Sequence, residues 1–196
     1  MTRTGVILPI RAFALGKARL ADHLTPAMRA ELGRRWADSV RVAAGEHLTV
    51  VVSSDDAVRE WAWSHRLETI DDPGTLDAAA AAGRAALATL GCVRVVIAHA
   101  DLPRARSLAG VVRDGARPIA VIVPCHRDDG TPVLSLPATI DFEFAYGPGS
   151  FRRHAAEAHR RGLGVRVVRD PDLSFDVDVP DDLLQLSADL EPALGV

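Results

Sequence analysis

The stretch GVILPI at 5–10, followed by TPAMRAELGRRWADSVRVAA at 25–44 and LTVVV at 48–52, decides the fold. Its outer pieces are short, nearly continuous in apolar residues and rich in Val and Ile, while the middle piece is long and helical in period. Strand, helix and strand in that order make a βαβ unit. Further apolar runs at Arg94 to Ala98 and Pro118 to Val123 extend the pattern, and their continuity is that of parallel strands covered on both faces. Helices are predicted between the strands at about 55–66, 75–90 and 105–114, with Asp55, Thr75 and a residue near Asp101 as N-caps.

After Val123 the rhythm changes. A Gly/Pro/Asp-rich loop leads to short runs at Val133 to Leu136 and Phe142 to Tyr146, which predict an antiparallel strand inserted into a mixed sheet. A helix follows from Ser150 to about Arg161, then a strand at Gly164 to Val168, an acidic segment and a last helix from Pro180, a residue suited to a first helical turn. The fold class expected is α/β: a mixed, mostly parallel sheet flanked by helices. The 196 residues fit one domain, 1–196, since a domain of that size buries about 70% of its unfolded surface and no linker composition interrupts the chain.

Apolar residues make up 48% of the chain and charged ones 25%, with a net charge of -3 spread over both signs. That balance supplies no electrostatic reason for nucleic acid or an anionic membrane as a partner. Any anionic substrate must be gripped locally. Cys92 and Cys125 show neither CxxC spacing nor a His/Cys cluster, so neither zinc nor a disulfide framework is suggested. No segment approaches the roughly 18 apolar residues of a membrane span, and a cytoplasmic location is expected.

Open α/β sheets bind ligands beyond the carboxyl ends of their strands, so the residues following each strand carry the interest. LPIRAFALGKARL at 8–20 bears Arg11, Lys17 and Arg19 without a GxGxxG or P-loop pattern; it reads equally well as a triphosphate grip or a solvated basic loop. VVIAHADLPRA at 95–105 delivers Asp101 to a strand's end, where it could bind magnesium or only cap the next helix. In FDVDVPDDL at 175–183, Asp176 and Asp178 alternate on an expected strand and point the same way, an arrangement a cation would relieve. The competing account makes Asp178 a helix cap, with Asp181 and Asp182 as first-turn residues facing the dipole. YGPGSFRRH at 146–154 sets Gly147 and Ser150 at a helix start, an anion site or an ordinary turn, and RDDGTPVLSL at 127–136 places Gly130 and Thr131 before a strand. His99 and His154 fall near these places and read as structural groups.

These blocks, together with VSSDD at 52–56 and the DPGTLDAA stretch from 72, follow one another as in the CofC/FbiD family, the 2-phospho-L-lactate and phosphoenolpyruvate guanylyltransferases of deazaflavin coenzyme biosynthesis, and the chain resembles that family over nearly its whole length. The resemblance implies a nucleotidyltransferase fold of the glycosyltransferase-A type and transfer of GMP from GTP to phosphoenolpyruvate or 2-phospho-L-lactate, with release of pyrophosphate. It implies Mg2+ on Asp101, Asp176 and Asp178, acceptor contacts from Thr131, Gly147 and Ser150, and GTP phosphates facing Arg11, Lys17 and Arg19. Ser54, Gly74 and Leu76 would lie near base and ribose, and Lys17, Arg19 and Asp101 would carry the chemistry. The partners are then GTP and a small phosphorylated carboxylic acid, and a homodimer is left open. The chain departs from the family's usual residues at Arg11, at Asp77 and through the 125–132 loop. Two alternatives therefore stand beside this reading: a non-catalytic nucleotide-binding or regulatory homologue, and a nucleotidyltransferase for a different phosphate acceptor.

Overall fold

The computed structural model describes residues 3–13 and 18–190. Among them run β1 (Thr4–Pro9), α1 (Pro26–Ala44), β2 (Leu48–Val52), α2 (Asp56–Ser64), β3 (Glu68–Ile70), α3 (Leu76–Thr89), β4 (Arg94–Ala98), α4 (Ala109–Val112), β5 (Ile119–Val123), β6 (Val133–Pro137), α5 (Ser150–Arg160), β7 (Gly164–Val167), α6 (Pro171–Ser174) and α7 (Pro180–Leu190). The strands form one sheet in the order β3-β2-β1-β4-β6-β5-β7. All pairings are parallel except those of β6, which runs antiparallel between β4 and β5, as the break in rhythm after Val123 predicts.

Side chains alternate across the pleat and feed two cores. Val6, Leu8, Val51, Val96 and Val121 pack with α1, α2 and α4, whereas Ile7, Val50, Ile97 and Ile122 pack with α3 and α5. Helix α3 lies especially close to the sheet: a Cβ on Gly83 would sit 2.5 Å from Ile7 Cγ2, so the absence of a side chain there sets the distance between the layers. The expected caps Asp55 and Thr75 accept hydrogen bonds from Val58 N and Ala78 N. A fully buried cation, Arg94, is tolerated because it donates to the carbonyls of Gly115, Arg117 and Ile119 and to the Ser135 hydroxyl, tying β4 to its neighbours.

Several expectations need correction. The helix expected over 105–114 is the single turn α4, because Leu108 N donates across to Ala43 O, and Asp101 O accepts from Val177 N. Backbone groups used between elements cannot also build a helix. The strand expected at Phe142 to Tyr146 does not pair; its amides at Glu143, Ala145 and Tyr146 are taken by side chains of Glu157, His154 and Asp77. Asp176 and Asp178 lie on an extended segment outside the sheet rather than on a strand. The short edge strand β3 and the one-turn α6 fall where no element is predicted.

Candidate active site

From β1 the chain moves outward through β2 to β3, then returns to β4 on the other side of β1. Between the carboxyl ends of β1 and β4 the outgoing loops diverge, and a crevice opens at this switch point. Three adjoining hollows run along that edge of the sheet. One, of about 280 Å³, is lined by Pro9 to Arg11, Val52, Asp72 and Gly74 to Leu76. A second, of about 210 Å³, lies between the loop after β1 and Trp36 of α1, and reaches His99 and Asp101. The third and largest, of about 430 Å³, holds Arg19, Asp101, Arg127, Thr131, Gly147, Ser150, Asp176 and Asp178. Leu76 borders all three.

The three carboxylates, distant in sequence, meet at the last hollow by identifiable means. Val177 N donates to Asp101 O at 3.3 Å, and the Arg104 guanidinium lies 3.6 Å above the Phe175 ring, fastening the loop after β4 to the acidic segment. Phe175 and Val177 are buried in a small core with Leu20 and Trp36, so their alternates Asp176 and Asp178 face the cleft. Extended backbone suffices for this alternation without a sheet. Asp101 caps no helix: α4 begins only at Ala109, with Leu108 as its N-cap residue. That leaves its carboxylate in the cleft wall.

Asp182, expected only as a first-turn residue facing the helix dipole, also braces the acidic segment. It is buried, and its Oδ2 accepts from Asp178 N at 2.7 Å and Val179 N at 2.9 Å, reaching back over the start of α7 as in a capping box. Its Oδ1 takes Arg127 at 2.5 Å. Burial alone would raise this carboxyl, yet the Arg127 guanidinium and the two amides hold it below the usual carboxylate range. His126 lies between acids, its Nε2 3.4 Å from Asp182 and its Nδ1 3.3 Å from Asp176, with its ring stacked on Phe175.

Do these residues fit a divalent cation? Burial, then the charges of Asp101 and Asp178, push the Asp176 carboxyl above its ordinary value. Its Oδ1 is sealed from solvent and accepts no hydrogen bond, the His126 approach lying outside hydrogen-bond geometry. Clustered carboxylate oxygens of this kind suit a hard cation. Among the described residues no group of three Asp, Glu, His or Cys side chains is disposed to hold a metal ion by itself, so a cation here would need water or phosphate oxygens to complete its sphere.

Along the same hollow, Gly147 and Gly149 adopt φ of +94° and +73°, bending the chain sharply into α5. The Arg153 guanidinium clamps this bend, donating to the carbonyls of Ala145, Tyr146 and Pro148. Three amides at this helix start are already committed: Ser150 N donates to Gly147 O, Phe151 N to Asp129 O and Gly149 N to the Asp129 carboxylate. Hydroxyls add further polar groups. Thr131 and Ser150 supply them, their oxygens 3.2 Å apart. The 125–132 loop is fully formed: Cys125 N donates to Gly130 O, Gly130 N to Cys125 Sγ, and His99 N to Pro132 O. Asp77, another of the departures, accepts from Tyr146 N at 2.7 Å and so anchors the bend.

The remaining expectations separate. Arg11, Gly74 and Leu76 line the 280 Å³ hollow, and Gly74 closes an Asx turn onto Asp72 with φ of +102°. Ser54 borders none of these three hollows; its Oγ accepts from Asp72 N at 3.0 Å and holds the turn from behind. Arg19 faces the largest hollow with its guanidinium 3.9 Å from Asp178. Lys17 lies outside the described residues.

A mostly parallel sheet with one antiparallel strand, and at its switch point a crevice lined by acids and hydroxyls, places the chain in the class of nucleotidyltransferase-fold proteins. Solved structures share the architecture: a nucleotidyl transferase from Methanothermobacter thermautotrophicus has a TM-score of 0.70 at 16% identity, covering 98% of this chain and 100% of that one. A 4-diphosphocytidyl-2C-methyl-D-erythritol synthase from Anaerococcus prevotii has a TM-score of 0.67 at 13% identity, covering 97% and 96%. The chain belongs to the family described as Guanylyl transferase CofC like, which matches residues 4–189. Its relatives include the phosphoenolpyruvate guanylyltransferase of Roseiflexus castenholzii, 35% identical over 92% of this chain and 86% of that protein. A 2-phospho-L-lactate guanylyltransferase of Methanothermobacter thermautotrophicus is 29% identical over 92% and 82%.

Proposed function

We propose that this chain transfers the GMP moiety of GTP to the phosphate of phosphoenolpyruvate or 2-phospho-L-lactate, releasing pyrophosphate. The observation that carries the reading is the convergence on one 430 Å³ cleft of Asp101, Asp176 and Asp178 with Thr131, Gly147 and Ser150. The names of the relatives supply the substrate class. A phosphate oxygen of the acceptor attacks the α-phosphorus of GTP, the new P–O bond forms, and the bond to the β-phosphate oxygen breaks. The attacking oxygen is already anionic, so no general base is required.

The chain's contribution is then position and charge. Gly74 and Leu76 shape the end for base and ribose, with Ser54 bracing the turn. Arg11, Lys17 and Arg19 face the phosphates, the latter two neutralising the departing pyrophosphate. Thr131 and Ser150 orient the acceptor. Asp101, Asp176 and Asp178 would hold Mg2+, which when bound supplies charge neutralisation for the phosphate oxygens.

The test is direct. Incubation with GTP, a magnesium salt and either acid should release pyrophosphate and form the corresponding diphosphate-linked product, seen by mass. EDTA should stop it, and ATP, CTP and UTP should serve poorly. Asp101→Asn should reduce turnover by at least about a hundredfold, the scale of losing one preorganised electrostatic group. Near-normal turnover in that variant removes Asp101 from the mechanism. Tight GTP binding with no turnover on either acid would instead favour the non-catalytic reading.

A further inference from the structure

Behind the hydroxyl wall of the cleft lies a group that the reaction above does not use. His154, on α5, is fully buried, and its Nε2 accepts the Ala145 N–H at 3.1 Å. A ring nitrogen that accepts carries no hydrogen, so the proton of the neutral imidazole sits on Nδ1. Burial, and then the neighbouring His99 and Arg153, hold the ring neutral by pushing its pKa down to about 4. Nδ1 is 3.1 Å from Thr131 Oγ1, and the tautomer fixes the direction of that bond: His154 donates and Thr131 accepts.

The direction propagates. Thr131 Oγ1 and Ser150 Oγ are 3.2 Å apart, both are buried, and among the described residues no other protein acceptor takes either hydroxyl proton. If Ser150 donates to Thr131, the Thr131 proton is left for the cleft. If Thr131 donates to Ser150, the Ser150 proton is. Either arrangement leaves one O–H without a protein acceptor among the described residues, on a pair of side chains that both line the cleft. Without His154, one hydroxyl could turn inward and the wall could present a lone pair instead.

We propose that His154 is a positioning residue that makes the Thr131–Ser150 pair an obligate hydrogen-bond donor, so that this end of the cleft selects an anionic oxygen, carboxylate or phosphate, over a group that must itself donate. The inference rests on the proposed reaction only in taking this end of the cleft as the acceptor's.

The experiment is steady-state kinetics on the full chain, varying GTP and phosphoenolpyruvate separately, with thermal melts on each variant. His154→Asn can carry an amide N–H to the Nδ1 position and keep the donor. His154→Gln carries its amide to the Nε2 position and loses it, as does His154→Phe. The Gln and Phe variants should raise KM for phosphoenolpyruvate about 10- to 100-fold, the scale of a hydrogen bond to a charged group, while KM for GTP stays within about twofold. The Asn variant should recover most of the loss. In a Thr131→Val background, His154→Phe should add nothing, because the group through which it acts is gone. Equal rises in both KM values, a full additional loss in the Thr131→Val background, or no advantage of Asn over Gln would each overturn the proposal. If the wild type turns over neither acid, the proposed reaction fails by itself. Calorimetric binding of phosphoenolpyruvate to the same variants then reads the donor pair, with the same ordering expected and its absence overturning it.

Discussion

Asp182 and His154 each brace the cleft from behind, Asp182 through two amides and an arginine at the acidic segment and His154 through the Thr131 hydroxyl. An acid in a first helical turn looks the same whether it merely faces the dipole or, like Asp182, holds two amides and an arginine beneath the acidic segment. A lone His is equally mute. Asp101, Asp176, Asp178, Thr131, Gly147 and Ser150 were legible because each follows or precedes an apolar run, where a carboxyl-end crevice must lie. His154 also makes acid stability predictable. Its folded pKa of about 4 lies below the ordinary 6.5, so between those values the unfolded chain binds a proton that the folded chain refuses. Its contribution is complete above about pH 6.5 and is lost as pH falls toward 4, costing about 3 kcal/mol across that window. Denaturant midpoints at pH 7, 5 and 4 should therefore fall more steeply for wild type than for His154→Asn. Parallel slopes would assign the acid loss to other groups, such as Asp114, Glu157 and Asp182, whose depressed carboxyls act at lower pH in both proteins.

At the scale of elements, parallel strands announce themselves because burial on both faces demands continuous apolar sequence, and β1, β2, β4 and β5 all meet that demand. Loops that spend their backbone groups on other elements leave no such trace. The helix expected over 105–114 and the strand expected at Phe142 to Tyr146 fail for that reason: Leu108 N and Tyr146 N are committed to Ala43 and Asp77. The close seating of α3 was not legible either, since Gly83 in an Ala-rich helix resembles a small residue of no consequence. A Cβ there would meet three Ile7 side-chain atoms at 2.5–3.2 Å. Gly83→Val should lower stability by about 1–3 kcal/mol through overpacking, read as a reduced melting temperature. Ile7→Ala should recover part of that loss in the double variant, though it is destabilising alone. A Gly83→Val protein that melts with wild type would show that α3 can move away from β1 at no cost, and the loop after β1 would then be less firmly placed.

For the molecule as a whole, the cleft exacts stability for function. Three carboxylates converge on one edge of an otherwise well-packed sheet, and the most buried of them, Asp176, has its carboxyl raised by burial and by Asp101 and Asp178. Folding brings these charges together, while unfolding disperses them. In the absence of a divalent ion, the folded state bears a repulsion that the unfolded chain does not. Asp176→Asn keeps the shape and removes one charge, so it should raise the melting temperature of the metal-free protein, as often happens when a strained functional site is relaxed. Wild type should gain stability on addition of Mg2+ and more with Mg2+ and GTP together, because a ligand that binds only the folded state shifts the equilibrium by mass action. The variant should lose most of the Mg2+ increment. Melting curves of both proteins with EDTA, with Mg2+, and with Mg2+ and GTP give six values whose pattern decides. If Asp176→Asn is less stable than wild type in EDTA and gains as much from Mg2+, the carboxylate serves the fold rather than an ion, and the acidic wall of the cleft must be explained by its hydrogen bonds alone.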